Sequence, residues 1–534
     1  MPNLGDRHLI ELTLVHQASI NPSAGVLVNS FYRNPMLPLV SVLIFSQIPV
    51  PPSQPAPIPI NPAPRPTPQP SPKPTPPPLP PPERLSPLEQ IPQLDPLPQF
   101  EFLQPTEVRP LSGQLDQIPV FNSNSPELVK TEGILLSTFP QQGMRYPQAH
   151  LNYPLEGRFD IFAHHISRAR TQAEIRSFFQ GILVYNPTDK PITLRVLEGA
   201  SYLTRPDAIF IDLPEIVDNR LGTIFSGPGS RAVGDVLRGR KQGTWPDVMV
   251  IQPGQVQQLM NLPIPAGTVL PTSNGRSTLL RVQTDGPVHV ANLAMLSPKN
   301  PDGTERVPTL QEWQNLLVNG TLSGPRDLRP TPIDNKTTNF PAQFIYGRVA
   351  GISQGSQWTT TLTDNPQSPD LTIPKAGRAI AYGLSLLHRG RLGTGQIQSA
   401  PMLTRYPDTA YFGHGNYGVE YNLTLPLYNN TQKTQRVTIS LQTPLKDDGT
   451  QGLLMFLEPP EDRIFFRGTV RIVHRNSQGQ ETERYVHLVQ QRGQRGEPLL
   501  ELTLAPGDRQ QVQVDLIYPP DATPPQVLTV KTEN

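Results

Sequence analysis

The chain contains no cysteine, which removes disulfides, thiolate nucleophiles, cysteine-ligated zinc and iron–sulfur clusters together. Export stays open, because a chain of 534 residues is long enough to bury a core without a disulfide framework. Net charge is equally scarce. Lys+Arg number 45 against 44 Asp+Glu, leaving +1, so no global field draws the chain to nucleic acid or an anionic membrane. Charged residues make up only 17% and hydrophobic ones 36%, which excludes a coiled coil and a highly charged disordered polymer. Long apolar runs are missing too. The longest, Leu37-Pro-Leu-Val-Ser-Val-Leu-Ile-Phe45, falls well short of the ~20 residues a membrane-spanning helix takes, and no transmembrane helix is expected in the mature chain. Neither a Walker A loop nor an H-E-x-x-H pattern occurs, which withholds the common phosphate-cradling and zinc-protease chemistries.

Proline is what the chain has in excess, at 67 residues. It dominates from Pro49 to Pro98, in runs such as Pro62-Ala-Pro-Arg-Pro-Thr-Pro-Gln-Pro70. Such a chain lacks the backbone donors for helix or sheet and extends as polyproline II at ~3.1 Å per residue. A disordered, semi-stiff, proline-rich spacer is expected over 47–110. The apolar run before it has the length of a signal-peptide core, with Arg33 before it and Ser46 after it. Residues 1–46 therefore read as a leader region. Its signal peptide is 36–46, started by Met36, and residues 1–35 are an upstream extension. The other reading of the run is a buried strand. The leader makes the chain an exported one, in the periplasm, the outer envelope or the extracellular space.

Beyond Val108 short apolar runs alternate with turn residues: Gly133-Ile-Leu-Leu-Ser137, Phe159-Asp-Ile-Phe-Ala163, Gly181-Ile-Leu-Val-Tyr185 and Thr193-Leu-Arg-Val-Leu197. These are strand signals. Thr469–Val473 and Arg484–Val489 flank Asn476-Ser-Gln-Gly479 as a hairpin. Two helices interrupt the pattern, each opened by a capping box: Thr309-Leu-Gln-Glu312 with Gly320 as its stop, and the shorter Thr171-Gln-Ala-Glu174. An internal similarity organises the rest. Tyr185-Asn-Pro-Thr188 and Tyr428-Asn-Asn-Thr431 each follow one strand and precede another, and each has a Pro-Gly turn downstream, at Pro253-Gly254 and Pro506-Gly507. The expected fold is all-β: two tandem β-sandwich-like domains with a few short helices, 111–325 and 340–534, joined by a linker at 326–339.

The densest polar constellation is Arg158-Phe-Asp160-Ile-Phe-Ala-His164-His165. On a strand, Asp160 and His164 share one face and His165 takes the other. The first two could join a metal or a proton relay, with His150 or Glu156 as a third group. The alternative is one packed histidine and one facing solvent. Arginine and glycine interleave at Arg238-Gly-Arg240-Lys241, at Arg389-Gly-Arg391 and at Arg492-Gly-Gln-Arg495, where guanidinium forks on open loops suit carboxylate or phosphate ligands. No aromatic run accompanies them, so a nucleic-acid partner is not expected. Gly413-His-Gly-Asn-Tyr-Gly418 has dinucleotide-loop spacing, but Val419–Leu425 after it is strand-like and not a helix, which rejects that reading.

The blocks Pro119-Val-Phe-Asn-Ser-Asn-Ser-Pro126, Gly157–His165, Gly227-Pro-Gly-Ser-Arg231 and Tyr406-Pro-Asp-Thr-Ala-Tyr411 resemble those of a cyanobacterial family of exported proteins classed only as a domain of unknown function. The likeness covers about residues 105–534. It implies export and brings no activity or site residue. The expected role is a non-enzymatic β-sandwich protein of the cell envelope that binds cell-wall or acidic polysaccharide or other envelope proteins. No cofactor or metal is expected. The alternative is a glycan- or ester-processing hydrolase centred on Asp160, His164 and His165.

Overall fold

The computed structural model describes residues 99–534 apart from 268, 334–342, 450 and 476–477. The leader 1–46, the spacer up to residue 98 and part of the 326–339 linker lie outside the described residues. Among those described, the fold is mostly strand, with two short α-helices and four sheets. Sheets of nine and four strands enclose Phe121, Leu136, Phe159, Ile161 and Val184; sheets of six and seven strands enclose Ile380, Leu423, Val437, Ile439 and Val514. The strand Gln435–Gln442 shows why: Val437, Ile439 and Leu441 are buried in the second core at every other position, as the period of a strand dictates.

The two sandwiches are not sequential halves of the chain. The strand Phe100–Arg109, expected in the spacer, lies in the six-stranded sheet between Leu453–Glu458 and Ala379–Leu384. Ile216–Asp218 adds to the seven-stranded sheet through Glu481–Gln491. In return, Ala350–Gln354 and Ala400–Arg405 extend the nine-stranded sheet. The ranges 111–325 and 340–534, and a spacer reaching 110, are corrected by these exchanges, and the described residues form one compact unit. The reason is physical. An unpaired strand edge is a row of unmet N–H and C=O groups, and any segment long enough to reach can complete it.

The internal similarity is real structure. One sheet runs Val248–Ile251, Ile192–Leu203, Thr272–Thr284, Arg158–Ala169, Pro119–Ser123. The other runs Pro498–Leu504, Gln435–Gln442, Gln526–Thr532, Ala379–Leu384, Phe100–Arg109. In both, the last pair is parallel and the rest antiparallel. The corner residues match bond for bond. Asn186 donates to the carbonyls of Lys190 (2.6 Å) and Ile251 (2.9 Å) and accepts from Thr188 N–H and O–H (both 2.8 Å). Asn429 donates to Lys433 (2.8 Å) and Leu504 (2.9 Å) and accepts from Thr431 N–H (3.0 Å) and O–H (2.7 Å). The N–H groups of Gly254 and Gly507 close both corners onto the Asn carbonyls.

Both capping boxes form. Thr309 and Glu312 open the helix Leu310–Asn319, and Thr171 and Glu174 open a single turn at Gln172–Glu174. Trp313 of the longer helix lies fully buried on Gly181, where a Cβ would sit 2.7 Å from the indole. Only glycine admits that contact. A second helix, Pro228–Val236, begins in the Gly227-Pro-Gly-Ser block. It covers Phe162, Ala200 and Leu279 on the outward face of the nine-stranded sheet.

Candidate functional site

The Arg158–Ala169 strand turns Phe159 and Ile161 into the first core. The opposite face meets the second sandwich. There Asp160 accepts from the Arg158 guanidinium and the Ser356 hydroxyl, and Arg281 on the next strand bridges Glu198 (3.0 Å) and Glu420. His164 has other partners. Its Nδ1 bonds Ser277 Oγ at 2.8 Å, its Nε2 lies 3.9 Å from Glu127, and burial with the nearby Arg348 cation pushes it down to about 4. His165, fully buried on the other face, bonds the Pro126 carbonyl (2.8 Å) and Ser123 Oγ (3.1 Å), and burial pushes it down to about 3. His150 bonds Ser137 at 2.9 Å and Glu156 is exposed. Asp160 and His164 share a face but no partner, and no group of three His, Asp or Glu among the described residues is placed to hold a metal.

His164→Ala should therefore lose one hydrogen bond, about 1–2 kcal/mol of stability. A Zn2+ calorimetric titration should show no stoichiometric heat in wild type that the variant lacks; such a heat would make the strand a metal site.

The three Arg–Gly loops go to three places. Arg238 stacks on Tyr485 and donates to the Asn219 carbonyl, Arg240 pairs with Asp235 (3.1 Å) and Lys241 with Asp247. Arg240 and Lys241 line a hollow of 460 Å³. Arg389 stands over the Phe344 ring, and the backbone N–H of Arg391 donates to Asp448. Arg492 pairs with Glu461. Arg495, 45% exposed, lies over the Phe102 ring at 4.2 Å with Glu458 at 3.4 Å.

Arg495 also walls a groove of 670 Å³ on the outward face of the six-stranded sheet. The floor is the polar side of the strands whose other side builds the second core. Thr438, Ser440 and Gln442 stand on one strand, Thr529 and Lys531 on its neighbour, and Gln104 further along. Several of these groups are already engaged: Thr529 donates to Gln442 Oε1 (2.8 Å), and Thr438 and Lys531 both reach Glu533 (3.0 and 2.6 Å). The Ser440 hydroxyl and the Gln442 amide nitrogen have no protein partner among the described residues. Both border the groove, Ser440 only 7% and Gln442 only 5% exposed, so hydrogen-bonding capacity is left over at its floor.

The sequence signature of a family described as "Protein of unknown function (DUF3370)" matches residues 106–532. The chain belongs to the DUF3370 family. No curated protein matches it. Among solved structures, an arginine-to-alanine mutant of Bacillus subtilis oxalate decarboxylase is 9% identical, with 74% of this chain and 77% of that one covered and a TM-score of 0.09. That score carries no argument about fold or activity.

The matched DUF3370 region contains the Ala379–Leu384 and Leu453–Glu458 strands that flank Phe100–Arg109, and the groove floor from Thr438 to Lys531. It also holds a G-x-S-x-G spacing, Gly351-Ile-Ser353-Gln-Gly355. Ser353 is buried within the Ala350–Gln354 strand, between two other strands, and not on the strand-to-helix turn that spacing serves in hydrolases. The groove escaped the sequence reading except for Arg495. Its signal is the alternation Val437-Thr-Ile-Ser-Leu-Gln442, with hydroxyl or amide at every outward position. No helix spans enough apolar residues to cross a membrane among the described residues.

Proposed function

We propose that this DUF3370 protein is a non-enzymatic, exported binding protein of the cell envelope, and that the groove beside Arg495 takes a sugar polymer of the wall. The observation that carries the reading is the outward row Thr438, Ser440, Gln442, Thr529 and Gln104 on the six-stranded sheet, with the Ser440 hydroxyl and the Gln442 amide nitrogen unspent. Hydroxyl-rich ligands are recognised by such fixed donors and acceptors, because an unmatched polar group in a site costs affinity. Charge gives the groove no strong preference: Arg495 and Lys531 face Glu458, Glu497 and Glu533. The leader before the spacer and the resemblance to exported cyanobacterial proteins support the compartment. The proline-rich stretch supports a display role, holding the folded part away from its point of attachment.

Native affinity electrophoresis in gels containing xylan, β-glucan, polygalacturonate or its methyl ester tests the reading. At least one polymer should retard the protein, and Ser440→Ala with Gln442→Ala should weaken that retardation about tenfold, as loss of two hydrogen bonds implies. Equal retardation of the double variant, or none by any polymer, would remove the proposal.

A further inference from the structure

The hollow of 460 Å³ beside Arg240 and Lys241 is built by three segments: the Ile192–Leu203 strand, the Pro228–Val236 helix and the loop that leads into that helix. Asn219 holds the loop in shape. Its amide nitrogen donates to the Ile224 carbonyl (2.7 Å), and its amide oxygen accepts from the Ile224 N–H (2.9 Å). Phe225, next in the chain, and Tyr202 of the strand both meet Arg231 of the helix. The Arg231 guanidinium lies 4.0 Å from the centre of the Tyr202 ring and 4.3 Å from that of Phe225. Aromatic contact of this kind uses the face of a guanidinium and leaves its N–H edge for hydrogen bonds.

Three cations line the hollow, and two of them are already matched. Arg240 donates to Asp235 (3.1 Å) and to the Leu221 carbonyl (3.0 Å), and Lys241 pairs with Asp247. Asp235 is held in place from a second side by the Tyr202 hydroxyl, which donates to it at 2.6 Å. Arg231 has no carboxylate partner among the described residues. Its Nη1 donates to the Asp207 carbonyl, while Nε and Nη2 bond no protein group and are not sealed from solvent. These two nitrogens carry the parallel N–H groups of the side-on fork, the edge that takes both oxygens of a carboxylate at once.

We infer that Arg231 anchors a binding site for the carboxylate of a small organic acid, with the apolar body of that acid against Leu221 and Phe225. One unspent cation matches one negative charge. A doubly charged phosphate would have a single free guanidinium to neutralise it and the Asp235 carboxylate in the opposing wall. Leu221, 70% exposed, and Phe225 supply apolar lining for the rest of the ligand, and the volume lies within the ~300–1,000 Å³ of small-molecule sites. The site is separate from the Arg495 groove and does not depend on the sugar-binding reading.

Isothermal titration of the full chain with benzoate and with hexanoate, each beside its neutral amide, tests the assignment. At least one acid should bind, at least tenfold more tightly than benzamide or hexanamide, because only the acid uses the fork. Arg231→Gln should weaken that acid about tenfold or more, and Arg231→Lys, which keeps the charge without the fork, severalfold. Thr223 lines the hollow and is exposed, so Thr223→Glu should weaken the acid about tenfold with an unchanged melting temperature; it decides the matter even where the Arg231 variants fail to fold. Equimolar inorganic phosphate should leave the acid bound. Binding by neither acid, equal binding of acid and amide, or full affinity in Thr223→Glu would overturn the site, and displacement by phosphate would overturn its assignment to a carboxylate.

Discussion

Lowering the pH from 7 to 4 is expected to unfold residues 99–534 cooperatively. Burial pushes His150, His164 and His487 down to about 4, and His165 and His414 down to about 3. In the unfolded chain each titrates near ~6.5. A base whose folded value is depressed contributes stability that is intact above the unfolded value and is lost as pH falls towards the folded one. Below ~6.5 the unfolded state therefore binds more protons, and stability drops with each step down. At ~1.4 kcal/mol per unit, each histidine carries on the order of 3 kcal/mol. Five such groups reach the upper end of the ~5–15 kcal/mol that holds a domain folded. Asp521 works the other way. Buried against Gly227 and Gly229 at the start of the Pro228–Val236 helix, it is pushed up to about 6. It therefore favours the folded state below that pH and loses this contribution as pH rises. Glu215, Asp327 and Asp515, also raised by burial, act in the same sense, but Asp521, the furthest raised of the four, moves by less than any of the five histidines, so acid unfolding prevails. Circular dichroism across pH 3–8 should show a single loss of structure between about 5.5 and 4. His487→Leu should move that midpoint down without loss at pH 7, since neither of its ring nitrogens bonds the protein. Retained folded spectra at pH 3.5 would contradict the argument.

Asn186→Ala and Asn429→Ala should each destabilise by about 3–5 kcal/mol, measured as a shift in urea unfolding. Both side chains are fully buried, and each ties its own corner to two or more carbonyls and a threonine. Truncation leaves those carbonyls without donors, and each buried orphan costs ~1–3 kcal/mol. The partners correspond one for one, so the two losses should agree to within about 1 kcal/mol. Asn→Asp should be no milder, because a carboxylate would face carbonyl oxygens. A neutral change at either position would mean that the matching corners do not do matching work.

How far the sequence reaches is visible in these same residues. The Asn-x-Thr corners, the Thr309 and Thr171 capping boxes and the alternation in Gln435–Gln442 are written in neighbouring residues. Each depends on contacts within one turn or one strand, so composition and spacing determine them. Strand exchange is not local. Whether Phe100–Arg109 stays in the spacer or completes a sheet depends on an open edge at Ala379–Leu384, more than 250 residues away. The groove shows the same division. Alternation fixes that Thr438, Ser440 and Gln442 share a face, and it fixes the same for Arg195 and Leu197 at the corresponding places in the first sandwich. In the nine-stranded sheet Arg195 and Leu197 lie exposed and the Pro228–Val236 helix covers Phe162, Ala200 and Leu279 instead, whereas Thr438, Ser440 and Gln442 are buried at the floor of their groove. The sequence by itself determined which residues turn outward; the tertiary structure alone decided which of them are left exposed and which floor a groove, because covering a face depends on segments distant in the chain.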